Sequence, residues 1–165
     1  MCIRDRILRH AIAVPSGTPD IDDRDRPLTP RGRKRFRKAA RGLARILPRP
    51  DALFTSPLPR ALETAQIAAE AWGDVTPIED PRLAGGDAEN ILPELAAHGE
   101  DALVALVGHE PDVSRLLGRL VGGAGEGLAF KKGGAALVEV EGAAPASGRL
   151  IWFLPPRLLR RLGGD

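Results

Sequence analysis

Six consecutive apolar residues, Ala102-Leu103-Val104-Ala105-Leu106-Val107, run without a polar interruption into Gly108-His109. A strand of that composition has no face to show to water, so it belongs in a sheet covered on both sides, the usual setting of parallel strands. The rest of the chain supplies the cover. Ile7 to Val14 is apolar apart from Arg9 and His10 and stops at Pro15-Ser16-Gly17, as a strand running into a loop does. Thr29 and Pro30 give an N-cap and a first-turn proline, after which Phe36, Ala40, Leu43, Ala44 and Leu47 recur at helical spacing. Ala52 to Thr55 reads as a short strand closed by Ser56-Pro57, and Ala61 to Trp72 as a helix with small residues on one face. Val75 to Ile78 gives a brief strand, Ala88 to Ala97 a helix, and Pro111 to Val121 another, with a loop at Gly122, Gly123 and Gly125. Ala135 to Val140 and Leu150 to Leu154 have no helical length between them and read as a strand pair. Strand and helix alternating in this way predict an α/β fold: a three-layer α/β/α sandwich with a mostly parallel central sheet.

Composition narrows the function classes. A chain of 165 residues, 43% of them hydrophobic, is the size of one domain with a sizeable core. Its 24 basic and 22 acidic residues leave a net charge of only +2, so nucleic acid is not the expected partner. The single cysteine, Cys2, has no internal disulfide partner, and no apolar run has the length of a membrane span or secretory signal; a cytoplasmic protein is expected. Residues 1–6 break the pattern. Arg4, Asp5 and Arg6 stand where a buried strand would carry Val, Ile or Leu, so Met-Cys-Ile-Arg-Asp-Arg reads as translated adapter or assembly error, non-native to the domain. If the stretch is genuine, the first strand is expected to start polar and frayed.

In an open α/β sheet, ligands bind beyond the carboxyl ends of the strands. Three such ends carry the polar residues here. The first ends in Arg9-His10, the second in Thr55-Ser56 with Arg60 just inside the next helix, and the apolar run in Gly108-His109-Glu110. Two arginines and two histidines far apart in sequence are thereby expected at one spot. Ser56 reads as an N-cap for the following helix rather than as a nucleophile, and the basic run from Arg31 to Arg41 as a solvated helix face, docking to an acidic partner being the alternative. Lys131 and Lys132 either line the pocket or flank a strand.

Leu8-Arg9-His10, the segment Ser56-Pro57-Leu58-Pro59-Arg60-Ala61-Leu62-Glu63-Thr64-Ala65 and Val107-Gly108-His109-Glu110-Pro111 resemble the three signature blocks of the histidine phosphatase superfamily, branch 1. Arg26-Pro27-Leu28-Thr29-Pro30-Arg31-Gly32, the short chain and Lys131-Lys132-Gly133-Gly134 narrow the resemblance to the SixA-like phosphohistidine phosphatases. It spans nearly the whole chain and implies one phosphoglycerate mutase-like domain over residues 1–165. It also implies that His10 is the nucleophile, that Arg9 and Arg60 bind phosphate and that His109 is the second histidine of the site. The chemistry suits these residue types. Guanidinium forks match the equatorial oxygens of a phosphoryl group in flight, and a neutral imidazole attacks phosphorus when a hydrogen bond fixes its tautomer. His109 is then expected to act as a charged donor rather than a base.

A general acid is not marked. Relatives that cleave alcohol esters need one, because an alkoxide leaves poorly without a proton. Glu79, Asp80, Asp87 and Glu89 lie in roughly the right region without the family's acid motif, and Asp20, Asp22, Asp23 or Asp25 are alternative donors from the loop after the nucleophile. An imidazole leaving group, with a conjugate-acid pKa of about 6.5, needs far less help. The expected function is therefore removal of phosphate from phosphohistidine on a signalling protein such as a phosphotransfer domain. The alternatives are a general phosphomonoesterase on a small phosphorylated metabolite or phosphoserine protein, and a catalytically silent phosphoprotein-binding module. No metal or cofactor is implied, no membrane is expected as a partner, and the expected state is a monomer.

Overall fold

The computed structural model describes residues 2–73, 75–86, 88–99, 101–123, 127–141 and 148–164. Asp87 and Gly125, both noted in the sequence, lie outside the described residues, as does Met1. The strands are β1 (Cys2–Arg9), β2 (Ala52–Thr55), β3 (Pro77–Glu79), β4 (Leu103–Gly108), β5 (Ala135–Glu141) and β6 (Gly148–Leu154). The helices are α1 (Pro30–Ile46), α2 (Pro59–Trp72), α3 (Leu92–Ala97), α4 (Asp112–Leu120) and α5 (Pro156–Leu162). One six-stranded sheet runs β3-β2-β4-β1-β5-β6; β3, β2, β4 and β1 are parallel, while β5 is antiparallel to both β1 and β6. This is the mixed α/β sandwich expected from the sequence, phosphoglycerate mutase-like in architecture.

Alternation along the strands builds two cores. Leu8, Leu53, Ala105, Val107, Ala135 and Leu137 face one layer, where Phe36, Ala39, Ala40 and Leu43 of α1, Ala61, Ala65 and Ala68 of α2 and Leu159 of α5 meet them. Their neighbours Ile7, Phe54, Val104, Leu106, Ala136 and Val138 face the other, packing on Leu95 of α3 and Val113, Leu116, Leu117 and Leu120 of α4. Successive side chains of a strand point to opposite faces, so the unbroken apolar run of β4 feeds both cores at once.

Several elements differ from expectation. The first strand ends at Arg9, as the polar end at Arg9-His10 implies, and the apolar residues up to Val14 lie beyond it: His10 to Val14 crosses toward α1, Ala13 making an isolated bridge with Leu28. Its start is not frayed, since Arg4 to Leu8 pair continuously with both β4 and β5, which buries Asp5 and Arg6 in the middle of the sheet. The helix expected over 88–97 is a 3-10 turn, Ala88–Ile91, followed by α3. Further 3-10 turns at Asp23–Asp25 and Pro81–Ala84, and all of α5, carry no signal long enough to have been read in advance.

Thr29 caps α1 as expected, its hydroxyl accepting from Gly32 N at 2.9 Å, with Pro30 in the first turn. Gly32 is needed for another reason. A Cβ there would lie 2.1 Å from Ile12 O, the carbonyl that accepts from Thr29 N at 3.0 Å, and this backbone has nowhere to retreat. Gly32→Ala is therefore expected to displace the segment after His10, costing about 2 kcal/mol of stability and about a hundredfold in kcat/KM. Chemical unfolding and steady-state kinetics check the two parts; an alanine variant with parental kinetics would show that the segment moves without consequence.

Candidate active site

Parallel strands lying side by side put their carboxyl ends together, and the order β2-β4-β1 brings all three polar strand ends to one edge of the sheet. The backbone there is stitched closely: His10 N donates to Gly108 O at 3.0 Å, Arg9 N to Gly134 O at 3.1 Å, and Gly133 N to His10 O at 3.0 Å. The His10 and His109 rings stand 5.0 Å apart between centroids, inclined at 50°. Arg9 and Arg60 both act electrostatically on each of these rings, so the four residues singled out in the sequence do converge.

His10 is buried, and its Nδ1 lies 2.7 Å from Ala11 O. A carbonyl oxygen only accepts, so Nδ1 carries the hydrogen and Nε2 is left with its lone pair. Burial foremost, then His109, Arg60 and Arg9, push the imidazole pKa down to about 3, against the backbone hydrogen bond, which raises it. His10 is thus neutral throughout the ordinary pH range. The loop that follows is held by α2: Arg60 and Thr64 are one turn apart on the same face, and Thr64 Oγ1 accepts from Ala11 N at 3.0 Å while donating to Arg60 O at 2.6 Å.

The arginines are clamped on their outer sides. Arg9 Nη1 donates to Phe130 O at 2.5 Å, and Arg60 Nη1 to Asp23 O at 2.8 Å, the latter carbonyl supplied by the 3-10 turn of the loop after β1. Burial lowers the pKa of both guanidiniums, as expected for cations taken partly out of water. A third arginine, Arg26, also reaches the site; anchored on Asp23 Oδ1 at 2.9 Å and Val14 O at 2.8 Å, it acts electrostatically on His109, Arg60 and Lys132. Lys132 lies close enough that Arg9, Arg26 and Arg60 lower its pKa, after burial. Three arginines thus act on the two imidazoles with Lys132 close to all three, and the carboxylates of Asp23 and Glu110 act on Arg60 and Arg9 in return.

His109 departs from expectation. Burial first, then Arg60, Arg26 and Arg9, hold its pKa at about 4, so the folded protein carries it neutral rather than charged. A phosphate dianion among these cations reverses the sign of the nearest field and favours the protonated ring. His109 Nε2 is 2.8 Å from Ser56 Oγ, while its buried Nδ1 finds no partner among the described residues. Ser56 also differs: the N-cap of α2 is Leu58, without a side-chain hydrogen bond, and Ser56 instead accepts from Leu58 N at 3.2 Å ahead of the helix.

A model of the histidine phosphatase superfamily (branch 1) matches residues 7–118. The chain belongs to that superfamily. It is SixA-like within it. The SixA structure from Agrobacterium tumefaciens is 29% identical, with a TM-score of 0.77 over 93% of this chain and 97% of that one. The structure of the protein histidine phosphatase SixA complexed with tungstate gives a TM-score of 0.81 at 24% identity, over 94% and 99%. An uncharacterized protein of Mycobacterium tuberculosis (strain ATCC 25618 / H37Rv) is 32% identical over 164 residues, 91% of this chain and all of that one.

Within this SixA-like fold the candidate acids are placed elsewhere or engaged. Asp80 is gripped by Arg82 Nε at 2.9 Å, which holds its carboxyl below the usual range, and Glu89 faces Arg119 at 3.7 Å. Glu79 is exposed at the sheet edge. Asp22 accepts from Arg24 N at 2.8 Å. Asp23, the loop carboxylate beside Arg60, is kept ionised by hydrogen bonds from Ser16 and Arg26. Among the described residues no cluster of His, Cys, Asp and Glu is arranged to hold a metal ion, and no helix is long and apolar enough to cross a membrane. Sequence reading missed Arg26 and the tie from Glu110 Oε1 to Phe130 N at 2.7 Å, which fixes the segment carrying Arg9's partner. Arg26 lay in a quoted motif, but only its structural anchors show that it points inward.

Proposed function

We propose that this SixA-like protein is a phosphohistidine phosphatase working through a phosphohistidine enzyme intermediate on His10. The observation that carries the reading is His10, neutral in the ligand-free protein with its tautomer fixed by Ala11 O, beside Arg9 and Arg60, whose charge an anion would neutralise. Nε2 attacks phosphorus while the N–P bond of the substrate breaks, and the bonding pair leaves on a substrate imidazole already protonated on its other ring nitrogen, which therefore departs neutral. Water then attacks the phosphohistidine, Nε2 recovers its pair and inorganic phosphate departs. Arg9 and Arg60 bind and neutralise the equatorial oxygens. His109, with Nε2 engaged by Ser56, adds positive charge beside the same oxygens once a bound dianion favours its protonated form.

The substrate class rests on the acids. Among the candidate acids, hydrogen bonds hold Asp23 and Asp80 ionised, Glu89 faces Arg119 and Glu79 lies exposed at the sheet edge, which leaves an alkoxide poorly supplied with a proton but costs an imidazole little. Turnover of a phosphohistidine protein and of a phosphoserine peptide, compared as kcat/KM, tests it. The phosphohistidine protein is expected to be preferred by about a hundredfold or more; equal or faster turnover of the peptide would contradict the N–P preference and favour a phosphomonoesterase.

A further inference from the structure

A cavity of about 510 Å³ adjoins the catalytic crevice. One wall is Ala11-Ile12, the two residues after His10; another is Lys132-Gly133, whose Gly133 N bonds the carbonyls of Arg9 and His10. The remainder is the α1/α5 seam, where Phe36 and Ala39 face Pro155 and Pro156. The interior is apolar and the rim is cationic, with Arg35, Arg157 and Arg160 joining Lys131 and Lys132. A second depression of about 470 Å³ continues from it, sharing Arg157 and Arg160 and adding Lys38 and Arg161. The seam is rigid by construction: Cβ atoms at Gly42 and Gly163 would lie 2.0 Å from Leu159 O and Lys38 O, so α1 and α5 touch backbone to backbone.

The cations are what make this surface informative. On the opposite layer Arg82, Arg115 and Arg119 each pair with a carboxylate. Around the two depressions no ion pair is made with any carboxylate of the described residues, although Arg35 lies close enough to Arg160 to lower its pKa after burial. A chain whose net charge is only +2 has therefore gathered cations that no carboxylate of the described residues pairs with beside its catalytic crevice. The geometry points to a docking groove for an acidic segment of the protein substrate, the stretch flanking the phosphorylated residue, with an apolar side chain of that segment seated in the cavity. This rests on the phosphoprotein reading above and adds to it what the partner looks like around its phosphorylated residue.

The two depressions together extend beyond one small metabolite, which favours a polypeptide. Nucleic acid fits poorly, because Phe36 is only 3% exposed and the walls offer no aromatic face for a base to stack on. Four peptides separate the claims: phosphohistidine or phosphoserine, each flanked by Leu-Glu-Asp-Glu or by neutral residues. Acidic flanks are expected to raise kcat/KM about tenfold at low salt, with the gain shrinking as ionic strength rises. R157E/R160E is expected to erase that gain while changing turnover of the neutral-flanked peptide less than about twofold. K38E/R161E, in the second depression, should reduce it in the same direction, and thermal unfolding of both variants reports the fold. No gain from acidic flanks, a gain untouched by both variants, or tighter competition by a single-stranded oligonucleotide than by the unphosphorylated acidic peptide would overturn the groove. Loss of the phosphohistidine preference with the flank effect intact would overturn the substrate class and leave the groove standing.

Discussion

His10→Ala is expected to lower kcat/KM by about ten-thousand-fold or more while leaving the fold in place. Removing the nucleophile leaves the arginines able to bind phosphate, so affinity for inorganic phosphate should fall far less than turnover does. That separation matters, because a silent phosphoprotein-binding module would keep its function in the same variant. The pH profile gives a second reading of the same site. Since kcat/KM reports the free enzyme, and burial with His109, Arg60 and Arg9 holds His10 near pH 3, activity should not fall around pH 6.5, where an ordinary histidine protonates. Its acid limb should lie near pH 4 or below. An acid limb centred on pH 6.5 that remains after the substrate's own phosphoryl titration at about pH 6 is accounted for would show that His10 is not held neutral by these neighbours.

The second large effect is on stability. Asp5 is 3% exposed in the central strand, facing Val104 and Val138, and burial raises its carboxyl pKa from 3.8 to about 7, with Arg6 pulling the other way. A carboxyl raised on folding favours the folded state below pH 4, and that contribution is lost as pH climbs through 7. Between pH 4 and pH 8 the protein should lose about 4 kcal/mol relative to Asp5→Val. Denaturant unfolding of the two proteins across that range checks it; a stability difference that stays constant with pH would contradict the burial of a titrating carboxyl at this position. Resequencing the locus asks the related question of whether residues 1–6 belong to the gene.

The layers and the site were legible in the sequence for different reasons. β4 announced itself because a strand buried on both faces has no polar positions, and α1 because Thr29-Pro30 and the spacing of Phe36, Ala40 and Leu43 agree. Arg9, His10, Arg60 and His109 stood out as polar residues at strand ends. The apolar run beyond Arg9-His10 blurred the end of β1 because Ala11, Ile12, Ala13 and Val14 are apolar for a different purpose: Ala11 and Ala13 are buried against the helix layer, not in the sheet. α5 escaped because its seven residues, beginning at Pro156, show less than two helical turns of pattern. The inward turn of Arg26, the Ser56 to His109 contact and the neutrality of His109 depend on side chains from distant segments meeting, and no local pattern encodes that.

Trapping the intermediate tests the central claim most directly. Acid-sensitive phosphate should appear on the protein within the first turnover when a labelled phosphohistidine substrate is mixed and quenched in alkali, and peptide mapping should place it on His10, with none in His10→Ala. Phosphate that survives acid and maps to Ser56, or turnover at the parental rate with no phosphoenzyme formed, would contradict the account.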